Sequence, residues 1–336
     1  MANPIDELLA QKGVLLADGA TGTNLFAMGL EAGDAPELWN ETAPEKITAL
    51  HQGFVDAGAD IILTNSFGGT RHRLKLHHAE GRVHELNRKA AELARAVAGK
   101  AGRRVIVAGS VGPTGELLEP LGSLTYDEAV DAFAEQIEGL KEGGADVAWI
   151  ETMSAPGEIR AAAEAAIKVG LPYTYTGSFD TAGRTMMGLA PDAIHEVGDE
   201  LAQKPLAVGA NCGVGASDIL ASLLDMSAAR PDATVIVKGN CGIPEFRGTE
   251  IHYSGTPELM ADYARLAVDA GARIVGGCCG TSFAHLAAMR QALDAHRKTE
   301  RPTVEAIEAR IGPLRNKLAS QSGSETGRRE RRRTRD

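Results

Sequence analysis

Short apolar runs alternate along this chain with amphipathic stretches, and polar or Gly-rich turns separate them. The runs lie at 14–18, 60–65, 105–111, 147–152, 173–179, 207–212, 234–240 and 273–278. They are apolar at nearly every position, as in a parallel sheet covered on both faces. The amphipathic stretches lie near 44–57, 83–99, 126–142, 156–169, 192–203, 216–228, 257–270 and 283–296. Eight strands alternating with eight helices predict an α/β chain folded as one (β/α)8 TIM barrel. An open doubly wound sheet is the other architecture that fits, but the count of eight and the even spacing favour the barrel.

Local signals agree with these boundaries. Thr125-Tyr126-Asp127-Glu128 fits a helix capping box, and so does Thr42-Ala43-Pro44-Glu45 with its early Pro. The phrases DAGAD, EGGAD and DAGAR at 56–60, 142–146 and 269–273 each read as a Gly helix stop leading into the next strand. The pattern fades near residue 312. We therefore expect one barrel domain over 1–311 and a basic, disordered tail over 312–336.

Composition narrows the function. The net charge is −10, and the six Arg and two acids of 328–336 leave the rest of the chain at −14. An acidic body argues against a nucleic-acid partner. No apolar stretch approaches the roughly 20 residues that span a bilayer, and the N-terminus lacks a basic region followed by an apolar one. A cytoplasmic protein without a membrane partner is expected. The pattern leaves a homo-oligomer open.

In such a barrel the active site lies at the C-terminal ends of the strands. The polar residues there are Asp18, Asn65, Ser110, Glu151, Ser178, Asp180, Asn211 and Asn240, together with all four cysteines, Cys212, Cys241, Cys278 and Cys279. Four cysteines in a long chain make no disulfide framework. Clustered at one mouth, they point to a metal. Zinc takes thiolates, and a catalytic site keeps one position open. Adjacent Cys278 and Cys279 can share an ion only where the backbone turns, which Gly276, Gly277 and Gly280 permit. Cys212, two strands away, can supply the third thiolate. Buried small side chains are the plainer reading of free cysteines. Cys241 is open between a fourth ligand and a bystander.

Asp18 can hold a substrate ammonium or cap its own turn. Glu151 ends an apolar strand, where a buried charge needs a partner or a role. Trp39 lies in the loop after the first strand, and its ring suits an onium group or simple packing. His72, His77, His78 and His84 match no metal spacing and read as solvated. GSVGPTGE at 109–116 lacks the Lys of a P-loop.

Seven phrases together resemble the homocysteine S-methyltransferase family. They are DGATGTNLF (18–26), ADIILTNSFGGT (59–70), NRKAAELAR (87–95), VAGSVGPTGE (107–116), EGLKEGGADVAWIET (138–152), GANCGVG (209–215) and GGCCGT (276–281). The likeness covers about 10–297. GDAPELWN (33–40) and SFDTAGRTMMG (178–188) point to short bacterial betaine–homocysteine methyltransferases. The resemblance implies a homocysteine-binding barrel with Zn2+ on Cys212, Cys278 and Cys279. It places Asp18, Gly19 and Glu151 at the amino-acid end of homocysteine. It sets Cys241 aside, because the family usually reads Asn-Ala-Gly there. The implied reaction moves a methyl group from an onium donor, foremost glycine betaine, to homocysteine, giving methionine. Of the aromatic cage expected around betaine only Trp39 has a counterpart. Gly68 and Thr152 fill the other places, so sulfonium donors such as dimethylsulfoniopropionate or S-methylmethionine stay open. So does a role as the non-catalytic, thiol-activating partner of a corrinoid protein.

Overall fold

The computed structural model describes residues 3–242, 244–247 and 250–316. Eight parallel strands form the sheet. They are β1 (Leu15–Leu16), β2 (Ile61–Leu63), β3 (Ile106–Val111), β4 (Val147–Met153), β5 (Tyr173–Gly177), β6 (Val208–Cys212), β7 (Val235–Gly239) and, after an antiparallel hairpin of β8 (Pro244–Arg247) and β9 (Glu250–Tyr253), β10 (Ile274–Gly277). The neighbour order is β1-β10-β7-β6-β5-β4-β3-β2. A parallel bridge from Ala17 to Ile61 joins the two ends, so the sheet closes into a single-domain (β/α)8 barrel.

The helices follow in chain order: α1 (Pro4–Lys12), α2 (Thr21–Ala27), α3 (Trp39–Thr42), α4 (Pro44–Asp56), α5 (Arg71–Leu74), α6 (Val83–Ala98), α7 (Tyr126–Glu142), α8 (Pro156–Val169), α9 (Ala216–Ala229), α10 (Pro257–Asp269), α11 (Phe283–Ala295) and α12 (Val304–Ile311). Among the described residues no helix is long and apolar enough to cross a membrane.

Strand alternation sorts the core into two parts. Leu15, Ile61, Leu63, Ile106, Ala108, Val147, Trp149, Ile236 and Ile274 fill the barrel, and Ile5, Leu8 and Leu9 of α1 join the same cluster. The intervening Leu16, Ile62, Val107, Ala148, Val235, Val237 and Val275 belong to the layer between sheet and helices. Helix α1 thus plugs the barrel at the N-terminal end of its strands. There Asp60 is fully buried, accepts from the Leu16 amide at 3.0 Å and pairs with Lys12 and, at 3.1 Å, with Arg290.

The expected Gly stops are present, with Gly58, Gly144 and Gly271 at φ +98°, +97° and +111°. The box at Thr125 forms with Glu128. The one expected at Thr42 does not. Thr42 ends α3, its hydroxyl donates back to the Leu38 carbonyl at 3.1 Å, and Ala43 is the N-cap of α4. Pro44 in the first turn suffices to start that helix. Over 192–203 the expected α-helix is instead a 3-10 helix, Asp192–Gly198. A Cβ at Gly198 would come within 2.9 Å of the Tyr175 hydroxyl. The Tyr175 hydroxyl of β5 also donates to the Ile194 carbonyl at 3.0 Å, which ties the segment closely to the strand.

The first residues of the expected tail lie against the barrel. Gly312 accepts from Ser217, and the Asn316 amide donates to Asp218 at 2.7 Å. The remainder, 317–336, lies outside the described residues.

Candidate metal centre

Cys212 ends β6, and Cys278 and Cys279 follow β10. Their sulfurs lie within 4.8 Å of one another. Two backbone features bring them together. Cys212 adopts a left-handed conformation at φ +61° and Gly213 follows at +73°, which turns the β6 end inward. After β10, the Cys278 amide donates to the Gly239 carbonyl at 2.7 Å and the Thr281 amide to the Cys278 carbonyl at 3.1 Å. The chain turns there, so consecutive cysteines aim at one point. Gly277 must lack a side chain, since a Cβ would fall 2.3 Å from Thr281.

Two asparagines tie this arrangement down, each just before a cysteine. Asn240 accepts from the Cys279 amide at 3.0 Å and donates to the Gly213 carbonyl at 2.8 Å, joining the β10 and β6 ends. Asn211 accepts from the Thr152 amide and the Thr176 hydroxyl at 2.8 and 2.6 Å. Its amide donates to the Thr152 hydroxyl at 2.7 Å and toward Cys278 Sγ at 3.8 Å. Thr152 is itself left-handed at φ +62°. Hydrogen bonds among the three sulfurs lower the Cys279 thiol, with Tyr253 adding a further one, and the same bonds raise Cys212. Cys241 is fully buried, is pushed up to about 12 by burial, and is not among the clustered sulfurs.

Beside the cysteines lies a charged floor. Asp18 is 1 % exposed; one oxygen meets Lys238 Nζ at 2.7 Å and the other accepts from the Leu63 amide at 2.7 Å. Glu151 accepts from the Ser110 hydroxyl at 2.5 Å. Burial raises Glu151 to about 7 against the pull of Lys238. Burial also raises Asp18, again opposed by Lys238. Burial alone would depress Lys238, yet Asp18 and Glu151 keep it above its ordinary value. The short contact and the Leu63 amide both favour an ionised pair. At Gly19 a Cβ would sit 2.7 Å from the Thr281 carbonyl and 2.8 Å from the Phe54 ring, so the chain passes this corner only as glycine.

The structure therefore brings Cys212, Cys278 and Cys279 together and sets Asp18 and Glu151 around one lysine. Trp39 opens α3, and the cation over its ring, at 4.2 Å, is Lys46 of the chain itself. Lys238 and Tyr253 were not anticipated. Lys238 could have been found as the one charge inside the run VIVKG, in step with inward-facing Ile236. A surface cavity of about 450 Å3 lined by Arg71, His72, Glu116, Ser123, Leu124, Glu128 and Asp131 shares no residue with the cysteine cluster.

Fold and site define a TIM-barrel protein with a three-cysteine cluster, able to hold a metal, at the C-terminal ends of its strands. Residues 15–293 match the family model for homocysteine S-methyltransferase, and the chain belongs to that family. Crystal structures of the homocysteine methyltransferase MmuM from Escherichia coli, in metallated and oxidized forms, align with TM-scores of 0.72 and 0.73. Each is 26% identical, with 86% of this chain and 99% of that chain covered. The methionine synthase of Mycobacterium tuberculosis is 31% identical over 315 residues, which is 88% of this chain and 26% of that protein. The Mycobacterium leprae methionine synthase is 31% identical over 300 residues, 83% of this chain and 24% of its own length. The chain thus spans about a quarter of these curated relatives.

Proposed function

We propose that the chain is a zinc-dependent methyltransferase that moves a methyl group from a small onium donor, foremost glycine betaine, to homocysteine, giving methionine. The observation that carries this is the three sulfurs within 4.8 Å of one another beside an acidic floor, in a chain of this family. Three soft ligands with no fourth cysteine in the cluster suit a zinc site with one open position. When bound there, zinc lowers the pKa of a thiol that joins it and keeps the sulfur nucleophilic at neutral pH.

The chain's own residues do the rest. The floor of Asp18, Lys238 and Glu151, with the backbone at Gly19, holds the amino-acid end and so aims the sulfur at the cysteines. Asn211 and Asn240 fix the cysteines so that little reorganisation accompanies methyl transfer. Thiolate and onium charges cancel as the methyl moves, so exclusion of water favours the reaction. Trp39, whose ring already carries Lys46, and Phe67, which is 37 % exposed after β2, are aromatic groups that the first two loops offer to an onium donor. Four free thiols fit a reducing compartment, and we place the enzyme in the cytoplasm. Residues 1–311 act as the homocysteine-binding barrel, with 312–336 as an appended basic segment.

A second reading has its own support. The match to about a quarter of each methionine synthase is compatible with a thiol-activating unit that serves a methyl-carrying corrinoid partner. One experiment separates the two. The purified, zinc-loaded chain is mixed with homocysteine and betaine, dimethylsulfoniopropionate or S-methylmethionine, and methionine is quantified. We expect methionine with one of the three, betaine first. Methionine from a sulfonium alone reassigns the donor, and none from any of them favours the partner reading.

A further inference from the structure

Lys238 is not among the candidate metal ligands. It points into the barrel from β7, its side chain is 3% exposed, and its Nζ lies 2.7 Å from Asp18 Oδ1 and 5.9 Å from the centre of the Trp149 ring. The fold makes room for it. A Cβ at Gly276 would stand 2.9 Å from Lys238 Cγ. With the Leu63 amide on its other oxygen, Asp18 is fully engaged inside the protein. Glu151 differs. One oxygen accepts from Ser110, and among the described residues the other has no hydrogen-bond partner.

We propose that Lys238 is a specificity-determining positioning residue, which by holding Asp18 in an ion pair leaves Glu151 as the one carboxylate that takes the ammonium of homocysteine. This rests on the homocysteine reading above and divides the roles within its floor. The physical ground is charge matching. With both carboxylates ionised, Asp18, Lys238 and Glu151 carry one net negative charge, which a single ammonium neutralises. Without Lys238, two buried carboxylates would stand uncompensated beside three thiolates, an arrangement that costs far more than a matched pair. A thiol lacking the α-amino group would leave Glu151 buried without a cation, so such thiols are rejected.

The test uses L-methionine and its desamino counterpart, 4-(methylthio)butanoate, titrated calorimetrically into the zinc-loaded full chain. The ratio of the two affinities is read, because partial unfolding affects both ligands alike and cancels. In Asp18→Asn the freed Lys238 turns to Glu151 and competes with the substrate ammonium. The preference for methionine should fall at least about tenfold. Adding Lys238→Met removes the competitor and should restore the preference to within about threefold of the unaltered chain. Glu151→Gln should lose it with or without Lys238→Met. If the double variant Asp18→Asn/Lys238→Met stays as low as Asp18→Asn, Asp18 itself takes the ammonium and the proposal is overturned. An unaltered chain that does not prefer methionine overturns the homocysteine reading, and this proposal with it.

Discussion

At the scale of single residues, the centre depends on a few polar side chains that touch no substrate. Asn211 is the plainest case. It bridges the left-handed Thr152, the Thr176 hydroxyl and Cys278. Asn211→Ala should leave the Thr152 amide without a partner and let the β6 end relax. Zinc affinity should drop about 10–100-fold, as for other partners of metal ligands, and a competition titration with a chromophoric chelator measures it. Unchanged zinc affinity would show that the backbone turns alone place the cysteines. The cysteines themselves were legible because they fall at the ends of apolar runs, where topology forces convergence. Lys238 is the one charge in the run VIVKG, and near a strand's end a lysine reads as the solvated edge of an apolar run. Only the alternation of inward and outward positions shows that Lys238 shares a face with Ile236.

At the scale of elements, the strands and most helices matched the sequence pattern because both faces of the sheet are buried and most of the helices have one apolar stripe. The misses have separate causes. The 3-10 helix Asp192–Gly198 lies against Tyr175, whose hydroxyl donates to the Ile194 carbonyl, a tertiary contact that no local signal carries. Helix α1 lies outside the strand–helix alternation, although Asn3 accepts from the Asp6 amide at its start. The β8–β9 hairpin sits in IPEFRGTEIHY, where alternating residues flank Gly-Thr, a signal that could have been used. Helix α1 gives the prediction at this scale. Asp60 anchors Lys12 of α1 and Arg290 of α11 beneath the barrel. Asp60→Asn should destabilise the fold by about 2–4 kcal/mol in urea unfolding, since it leaves a buried site facing cations that are only partly solvated. Homocysteine saturation should be unaffected, because the site is at the other end of the strands.

For the whole molecule, stability should depend on pH through a residue that is remote in sequence from the proposed chemistry. His51 of α4 is fully buried, and among the described residues neither ring nitrogen has a hydrogen-bond partner. Burial lowers its pKa from 6.5 to about 4. Above pH 6.5 the ring is neutral in both folded and unfolded chains. Between pH 6.5 and 4 the unfolded chain takes a proton that the folded one refuses, so stability falls across that window, by about 3 kcal/mol in full. The buried Glu151 and Glu158 are shifted the other way and gain protons on folding, which partly offsets the loss. The difference between the unaltered chain and His51→Leu isolates the histidine. The leucine variant should lose less stability on going from pH 7 to pH 4 in chemical denaturation. Equal losses would mean that water reaches the ring.

The central claim is that the three cysteines hold one zinc ion and leave a place for the sulfur of homocysteine. X-ray absorption at the zinc edge, on the full chain before and after homocysteine is added, tests it most directly. We predict one zinc per chain with three sulfur neighbours, rising to four when homocysteine binds, and no zinc retained in Cys278→Ala. A sulfur count that does not change on adding homocysteine, or zinc that survives Cys278→Ala with its surroundings intact, would contradict the account.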